Sequence, residues 1–309
     1  MGWTMIFSGA AWAAAVGRRA VVAALLLVLC WPLSSALADE EKSADAGVAR
    51  IVSLSPQLTE NIFLLGAGDR LVGVTLYCFQ PEAARSLVQV GSVQEIHIEK
   101  IAALRPQLIL ASDMTSPQQL ATLRRLGFRV ETFSRTDSFA AICSDFLRLG
   151  QLLGLSSKAR DVVTWAQRQV DLVQKAVAPF PRRKVLLQVG AQPLFASVPG
   201  SFTHDFIELA GGFNIVGDRR SGAISVEQVL ALNPEVILIS VMGSESGVGK
   251  QEQLRWLRFA KTLRAAQTRQ VYALPPEDIC SPSPQRFART LIAVARLIHP
   301  EAAGALPQP

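Results

Sequence analysis

The sequence predicts an α/β fold built from two related lobes with a ligand cleft between them, and three observations carry that expectation. The first is a repeat: IEKIAALRPQLILAS, starting at Ile98, returns as VEQVLALNPEVILIS, starting at Val226. A self-similar pair this far apart marks duplicated units. The second is the continuation of the repeat upstream, where TENIFLLGAGDRLVG (residues 59–73) is echoed by THDFIELAGGFNIVG (residues 203–217). The third is alternation. Short apolar strands and helix-period segments follow one another, separated by glycine, proline or polar turns, which argues for a mostly parallel sheet with helices on both faces. Two such units with a single connection enclose a cleft, the usual place for a small ligand.

The first residues do not belong to either lobe. Arg18 and Arg19 precede an apolar run over residues 20–30, and the segment closes on Ala36-Leu37-Ala38 just before Asp39-Glu40-Glu41. This pattern predicts a signal peptide over residues 1–38, cleaved after Ala38 and exported by the general secretory route. The alternatives are a membrane anchor and lipidation at Cys30. The apolar run is shorter than the roughly 20 residues a span requires, and bulky Leu29 stands where a small residue precedes a lipidated cysteine. Loss of the leader removes two arginines, so Lys+Arg falls from 31 to 29 against 25 Asp+Glu and the net charge drops from +6 to +4. The basic residues are scattered, which excludes a nucleic-acid partner as the expectation.

Residues 39–49 are small and polar and read as a flexible tether. The N-terminal lobe spans residues 50–155. RIVSLSP is its first strand, and TENIFLLGAG is a helix with Thr59 as N-cap and Gly66 or Gly68 at its end. RLVGVTL, a helix over residues 98–104, QLILAS and RVETF follow. Residues 156–180 form the connecting helix: Val162, Val163, Trp165, Ala166, Val170, Val173 and Val177 recur near helical period, Ser156 or Ser157 caps the start, and Pro179 and Pro181 end it. About 20 helical residues reach about 30 Å, enough to bridge two lobes, and a helical connector predicts only modest lobe closure. The C-terminal lobe spans residues 181–301, with the strand KVLLQVG, a helix at Thr203, the repeated helix at Val226, the strands EVILIS and VYAL, and a terminal helix from near Pro284. Residues 302–309 form a tail.

In order along residues 50–301, RIVSLSPQLTENIFLLGAGDRLVGVT, KIAALRPQLIL, LGQLLG, PGSFTHDFIELAGGFNIVGD, ISVEQVLALNPEVILIS and the closing HPE resemble the recurring blocks of one family. That family is the periplasmic substrate-binding proteins of ABC importers for cobalamin, iron-siderophores and related chelates. The resemblance implies two Rossmann-like lobes joined by a single long helix, residence in the periplasm, and capture of a metal chelate, a corrinoid such as cobalamin or a ferric siderophore, for delivery to an inner-membrane ABC permease. Thr75-Leu76-Tyr77 with Pro81 is similar to a loop of the cobalamin-binding type, and LLQVGAQPLF from Leu186 is similar to its second-lobe loop, which makes Tyr77 a ring contact with the ligand. The family presents one exposed acid per lobe to the permease, and Glu99 and Glu227 match those positions. Read without the resemblance, these two acids occupy the same place in both repeat copies, where the helix dipole alone favours a carboxylate. We expect a monomer with no cofactor, no metal site of its own and no catalytic residue.

Ligands in open α/β sheets collect at the carboxyl ends of the strands. In the first lobe those ends carry Ser55 with Pro56, Tyr77 with Cys78, and residues 93–97, including Gln94 and His97; in the second they carry Gln192 to Phe195, residues 242–245, and residues 277–281, including Glu277 and Cys280. Tyr77 and Phe195 have the faces to pack on a macrocycle or a catecholate, Gln94 and Gln192 the amides to fix its orientation, and His97 stands at the rim. Three cysteines survive leader removal: Cys78, Cys143 and Cys280. Cys143 lies in a helical pattern and reads as a buried apolar residue. Cys78 and Cys280, brought toward the cleft from opposite lobes, form a soft-metal grip, a cross-cleft disulfide or two buried bystanders.

Other classes fit less well. GSESGVGK (residues 243–250) fails the phosphate-loop spacing and reads as a flexible cleft-side loop. His97, His204 and His299 are too scattered for a zinc or manganese carrier, and His299 reads as a surface or terminal packing residue. No GxSxG elbow or comparable constellation supports a hydrolase. Haem or thiophilic-metal binding on the same fold is the alternative ligand class, and an exported enzyme or an interaction scaffold ranks below it.

Overall fold

In a computed structural model, residues 48–241, 247–280 and 282–308 are described. The first lobe is the alternating series expected of parallel sheets: β1 (Ile51–Ser53), α1 (Pro56–Leu64), β2 (Leu71–Val74), α2 (Ile98–Ala103), β3 (Leu108–Ser112), α3 (Pro117–Arg125) and β4 (Val130–Phe133). The strands pair in the order β2-β1-β3-β4, all parallel. After α4 (Phe139–Leu152), the long α5 (Ser156–Val177) carries the chain to the second lobe. There β5 (Arg183–Gly190), β6 (Phe195–Ala196), α6 (Phe202–Leu209), β7 (Gly212–Asn214), α7 (Val226–Leu232), β8 (Val236–Ile239), α8 (Val248–Leu257), α9 (Arg264–Gln267), β9 (Val271–Ala273), α10 (Pro276–Cys280) and α11 (Pro284–Ile298) follow.

The duplication read from the sequence is a duplication of topology. Parallel pairing of β5 with β7 and β8, and of β8 with β9, gives the path β7-β5-β8-β9, strand for strand the order of the first lobe. The repeated segments fall on equivalent elements, α2-β3 and α7-β8. Each repeated helix ends at a left-handed residue, Arg105 (φ 47°) or Asn233 (φ 48°), with a proline next that cannot continue the helix. The second lobe adds β6, which runs antiparallel to the end of β5 and makes Phe195 part of a hairpin rather than of an open loop.

Strand residues alternate between faces, and each sheet is covered on both. Leu108 and Leu110 of β3 and Val236 and Leu238 of β8 point into one shared core, while Ile109 and Ile237 point into cores private to each lobe. The shared core gathers the buried faces of α4, α5 and α11 and runs without interruption from Ile51 to Val185. At its centre three rings stack across the lobes: Phe287 lies 4.7 Å from Phe139 and 4.2 Å from Phe206, centroid to centroid. The connecting helix is therefore packed into a common interior. This supplies a physical reason for limited lobe movement beyond helix stiffness.

Several local expectations change. Thr59 is not an N-cap; Ser55 holds that position, Pro56 starts the helix, and the Thr59 hydroxyl bonds back to the Ser55 carbonyl at 3.0 Å. Of the two readings of His299, terminal packing holds and a surface position does not. Its ring is fully buried against Phe180, with Nε2 3.1 Å from the Gly211 carbonyl and Nδ1 3.3 Å from Glu301. Residues 39–47 of the expected tether lie outside the described residues, and the amides of Ala49 and Arg50 both donate to Gln107 of the first lobe. In the cleft-side loop, residues 242–246 lie outside the described residues, and the helix α8 has begun by Val248.

Candidate functional site

Helices that follow parallel strands start at the carboxyl edge of the sheet, so contacts between helix N-termini report where those edges meet. Gln57 in the first turn of α1 donates to the Pro282 carbonyl at 3.1 Å, Arg286 at the start of α11 pairs with Glu60 at 2.8 Å, and the Phe139 amide at the start of α4 donates to Asp205 of α6 at 2.7 Å. The carboxyl edges of both sheets thus converge on one region. Burial pushes the Asp205 carboxyl above the usual range, against the Phe139 amide that lowers it.

On the first-lobe wall the segment after β2 exposes Leu76, Tyr77 and Phe79. Tyr77, 58% exposed, stands edge-on to Phe79 at 6.3 Å, and Arg85 lies over the other ring at 5.9 Å. The backbone beneath is pinned by the Leu76 amide donating to the Gly91 carbonyl at 2.9 Å. Gly91 adopts φ 116°, and a Cβ there would meet the Glu95 carbonyl oxygen at 2.4 Å, so only glycine closes the turn that presents Gln94 and His97, both exposed. Of the readings open for Cys78, its placement fits a buried residue rather than a cleft-facing thiol. It is 3% exposed and unbridged, and its sulfur lies 3.2 Å from the hydroxyls of both Thr59 and Thr75, although its edge borders a hollow of about 430 Å³ with Phe79 and Arg85. Ser55 is likewise buried, with its carbonyl bonded to Thr59. Cys143 is buried and unbridged in α4, and burial pushes its thiol up to about 12.

The second-lobe wall holds a pocket of about 710 Å³ at the ends of β5 and β8, bordered by Gln192, Phe195, Val241, Val248, Gln251 and Glu252. Gln192 is exposed and Phe195 is 38% exposed. Behind the pocket, the fully buried Trp256 donates through Nε1 to Gln188 Oε1 at 2.7 Å, and Gln188 Nε2 donates to Glu252 Oε2 at 2.8 Å. Glu277 is exposed in α10, its carbonyl accepting from Arg286 at 3.1 Å. The backbone of Cys280 ends that helix, while its side chain lies outside the described residues, as do residues 242–245. Between α1 and α11 a further cavity of about 650 Å³ is bordered by Glu60, Gln80, Asp278, Arg286 and Arg289; burial raises the Asp278 carboxyl, opposed by Arg286.

The structure thus collects Tyr77, Gln94 and His97 on one wall and Gln192 and Phe195 on the other, and leaves Ser55 and Cys78 inside the first lobe. Sequence reasoning missed Phe79, Glu252 and its supports Gln188 and Trp256. A signal for Glu252 was present: Val248, Glu252 and Trp256 recur every four residues, which puts an acid on an apolar helix face. Glu99 and Glu227 are both exposed in the first turns of α2 and α7. Only α7 has a capping box, from Ser225 and Gln228, and hydrogen bonding from the Ser225 hydroxyl holds the Glu227 carboxyl below its usual range. Among the described residues no group of three or more His, Cys, Asp or Glu side chains is placed to hold a metal ion. The walls offer aromatic faces and neutral amides, which suit capture of a ligand better than bond-making.

Comparison with known proteins agrees with this geometry. The vitamin B12-binding protein of Yersinia pseudotuberculosis serotype O:1b (strain IP 31758) is 34% identical over 233 residues, 74% of this chain and 78% of the relative. The crystal structure of the periplasmic vitamin B12-binding protein of Vibrio cholerae superposes with a TM-score of 0.68 at 30% identity, over 85% of this chain and 99% of the other. A periplasmic heme-binding protein from Pseudomonas aeruginosa superposes with a TM-score of 0.71 at 26% identity, over 82% and 93%. Residues 51–277 match the family described as periplasmic binding protein. With the two-lobed α/β architecture and most of the chain matched, this protein belongs to the periplasmic binding protein family.

Proposed function

We propose that this protein is the extracytoplasmic substrate-binding component of an ABC importer and that it captures a corrinoid in the interlobe cleft. The observation that carries the reading is the match to a vitamin B12-binding protein over 74% of this chain and 78% of the relative. The exposed rings of Tyr77 and Phe195, on opposite lobes, support it, because a wide flat chelate needs apolar faces to cover. Gln94, His97, Gln192 and Glu277 are exposed and available to its polar rim. The leader over residues 1–38 exports the chain, which acts as a monomer without catalysis. Glu99 and Glu227 dock to the two permease subunits, a role supported by their exposure at equivalent places in the duplicated helices.

A second ligand, haem, is favoured by the likeness to the Pseudomonas aeruginosa heme-binding protein. Calorimetric titration of the protein from Asp39 onward with cyanocobalamin and with haemin separates the two. Micromolar or tighter binding of cyanocobalamin, about −8 kcal/mol or better, is the expected result. Binding of haemin alone moves the ligand to the porphyrins, and binding of neither leaves ferric siderophores as the chelates to test.

A further inference from the structure

Glu252 is the only ionisable side chain among the described residues bordering the second-lobe pocket, and the lobe's own packing leaves part of it unused. The residue is 8% exposed. Its Oε2 accepts one close hydrogen bond, from Gln188 at 2.8 Å; Arg255 Nη1 stands 3.4 Å from each oxygen, from a side chain that is 41% exposed and does not border the pocket. A carboxylate offers about four lone-pair positions. A long contact to a half-exposed arginine compensates little of the cost of burying one. The group is also held still: Gln188 is fixed by Trp256 at 2.7 Å and by the Gly190 carbonyl at 3.1 Å, so a rigid chain of side chains runs from the core to the pocket wall.

We propose that Glu252 is a specificity-determining residue: it accepts hydrogen bonds from N–H or O–H donors on the ligand rim and turns away carboxylate rims. The inference rests on the reading that the cleft takes a metal macrocycle. Corrinoids carry primary carboxamides around the ring, each with two N–H donors, whereas haem carries two propionates that are ionised at neutral pH. Gln192 and Gln251 border the same pocket as neutral amides, and among the described residues no cationic side chain borders it to offset a second negative charge. Like charges meet at greater cost where water is excluded than at the surface. The pocket therefore selects amide-rimmed chelates over carboxylate-rimmed ones.

The test titrates wild type, Glu252→Gln and the exposed connector control Asp161→Asn with cyanocobalamin, with its monocarboxylic acids, in which one side-chain amide is hydrolysed, and with haemin. Glu252→Gln should lose about tenfold in cyanocobalamin affinity, roughly 1.4 kcal/mol, as a charge-assisted hydrogen bond is weakened, and gain about tenfold for haemin as the like charge is removed. Asp161→Asn should match wild type. If Glu252→Gln does not fold, the wild type decides alone: at least one monocarboxylic acid should bind about tenfold more weakly than the parent amide. A haemin-to-cyanocobalamin ratio within about twofold of wild type, or monocarboxylic acids that all bind like the parent, overturns the proposal while leaving the corrinoid reading intact. A wild type that binds neither macrocycle contradicts that reading and this one together.

Discussion

Phe287→Ala removes the ring on which the two lobes close. The side chain is fully buried between Phe139 and Phe206, at centroid distances of 4.7 and 4.2 Å and interplanar angles of 25° and 15°. Deleting a buried phenylalanine costs about 3–5 kcal/mol, and two stacked partners that belong to different helices cannot both collapse into the space. For a unit of this size each kcal/mol moves the melting temperature by about 2–4 °C, so a fall of about 10 °C is expected. The decisive feature is the shape of the transition. A core continuous from Ile51 to Val185 predicts one cooperative transition that shifts as a whole in differential scanning calorimetry. Two resolved transitions, one of them unmoved from wild type, would refute the claim of a shared interior, and a loss below about 1 kcal/mol would refute the packing argument.

Three further outcomes are expected. Tyr77→Ala and Phe195→Ala should each weaken cyanocobalamin binding about tenfold with little change in melting temperature, since both rings are solvent-exposed in the free protein; equal affinity would remove that ring from the site. Reversing charge at both Glu99 and Glu227 should abolish uptake in cells while calorimetric affinity stays unchanged, and lost affinity would refute docking. Asp205 has a folded-state pKa above its unfolded value, so its contribution to stability is complete below the unfolded pKa and is lost as pH rises through the folded one. Asp205→Asn should therefore gain on wild type in melting temperature as pH rises from about 4 to 7, and a difference independent of pH would contradict the assignment.

The architecture was legible because duplication leaves a sequence trace: the helix-to-strand segments starting at Ile98 and Val226 fall on α2-β3 and α7-β8. Proline and glycine punctuation placed α11 at Pro284 and the left-handed turn at Gly66. Exposed aromatic positions such as Tyr77 were also legible, because they lie between a strand and a turn. What the sequence hid is what depends on long-range contact. Cys78 is one residue from an exposed tyrosine, yet the direction of its side chain is decided by Thr59, nineteen residues earlier. His299 sits beside a proline near the end of the chain, and only the return of α11 against the Gly211 turn buries it. Glu252 does not stand out along the chain, because its partner Gln188 is sixty-four positions away.

A ligand held by both lobes should sit at the carboxyl edges of their sheets. Hydrogen exchange measured by mass spectrometry, with and without saturating cyanocobalamin, tests this most directly. Protection is predicted in peptides covering residues 75–81 and residues 190–196 together, with α2 and α7 unchanged. Protection confined to one lobe, or centred on Glu99 and Glu227, would contradict it.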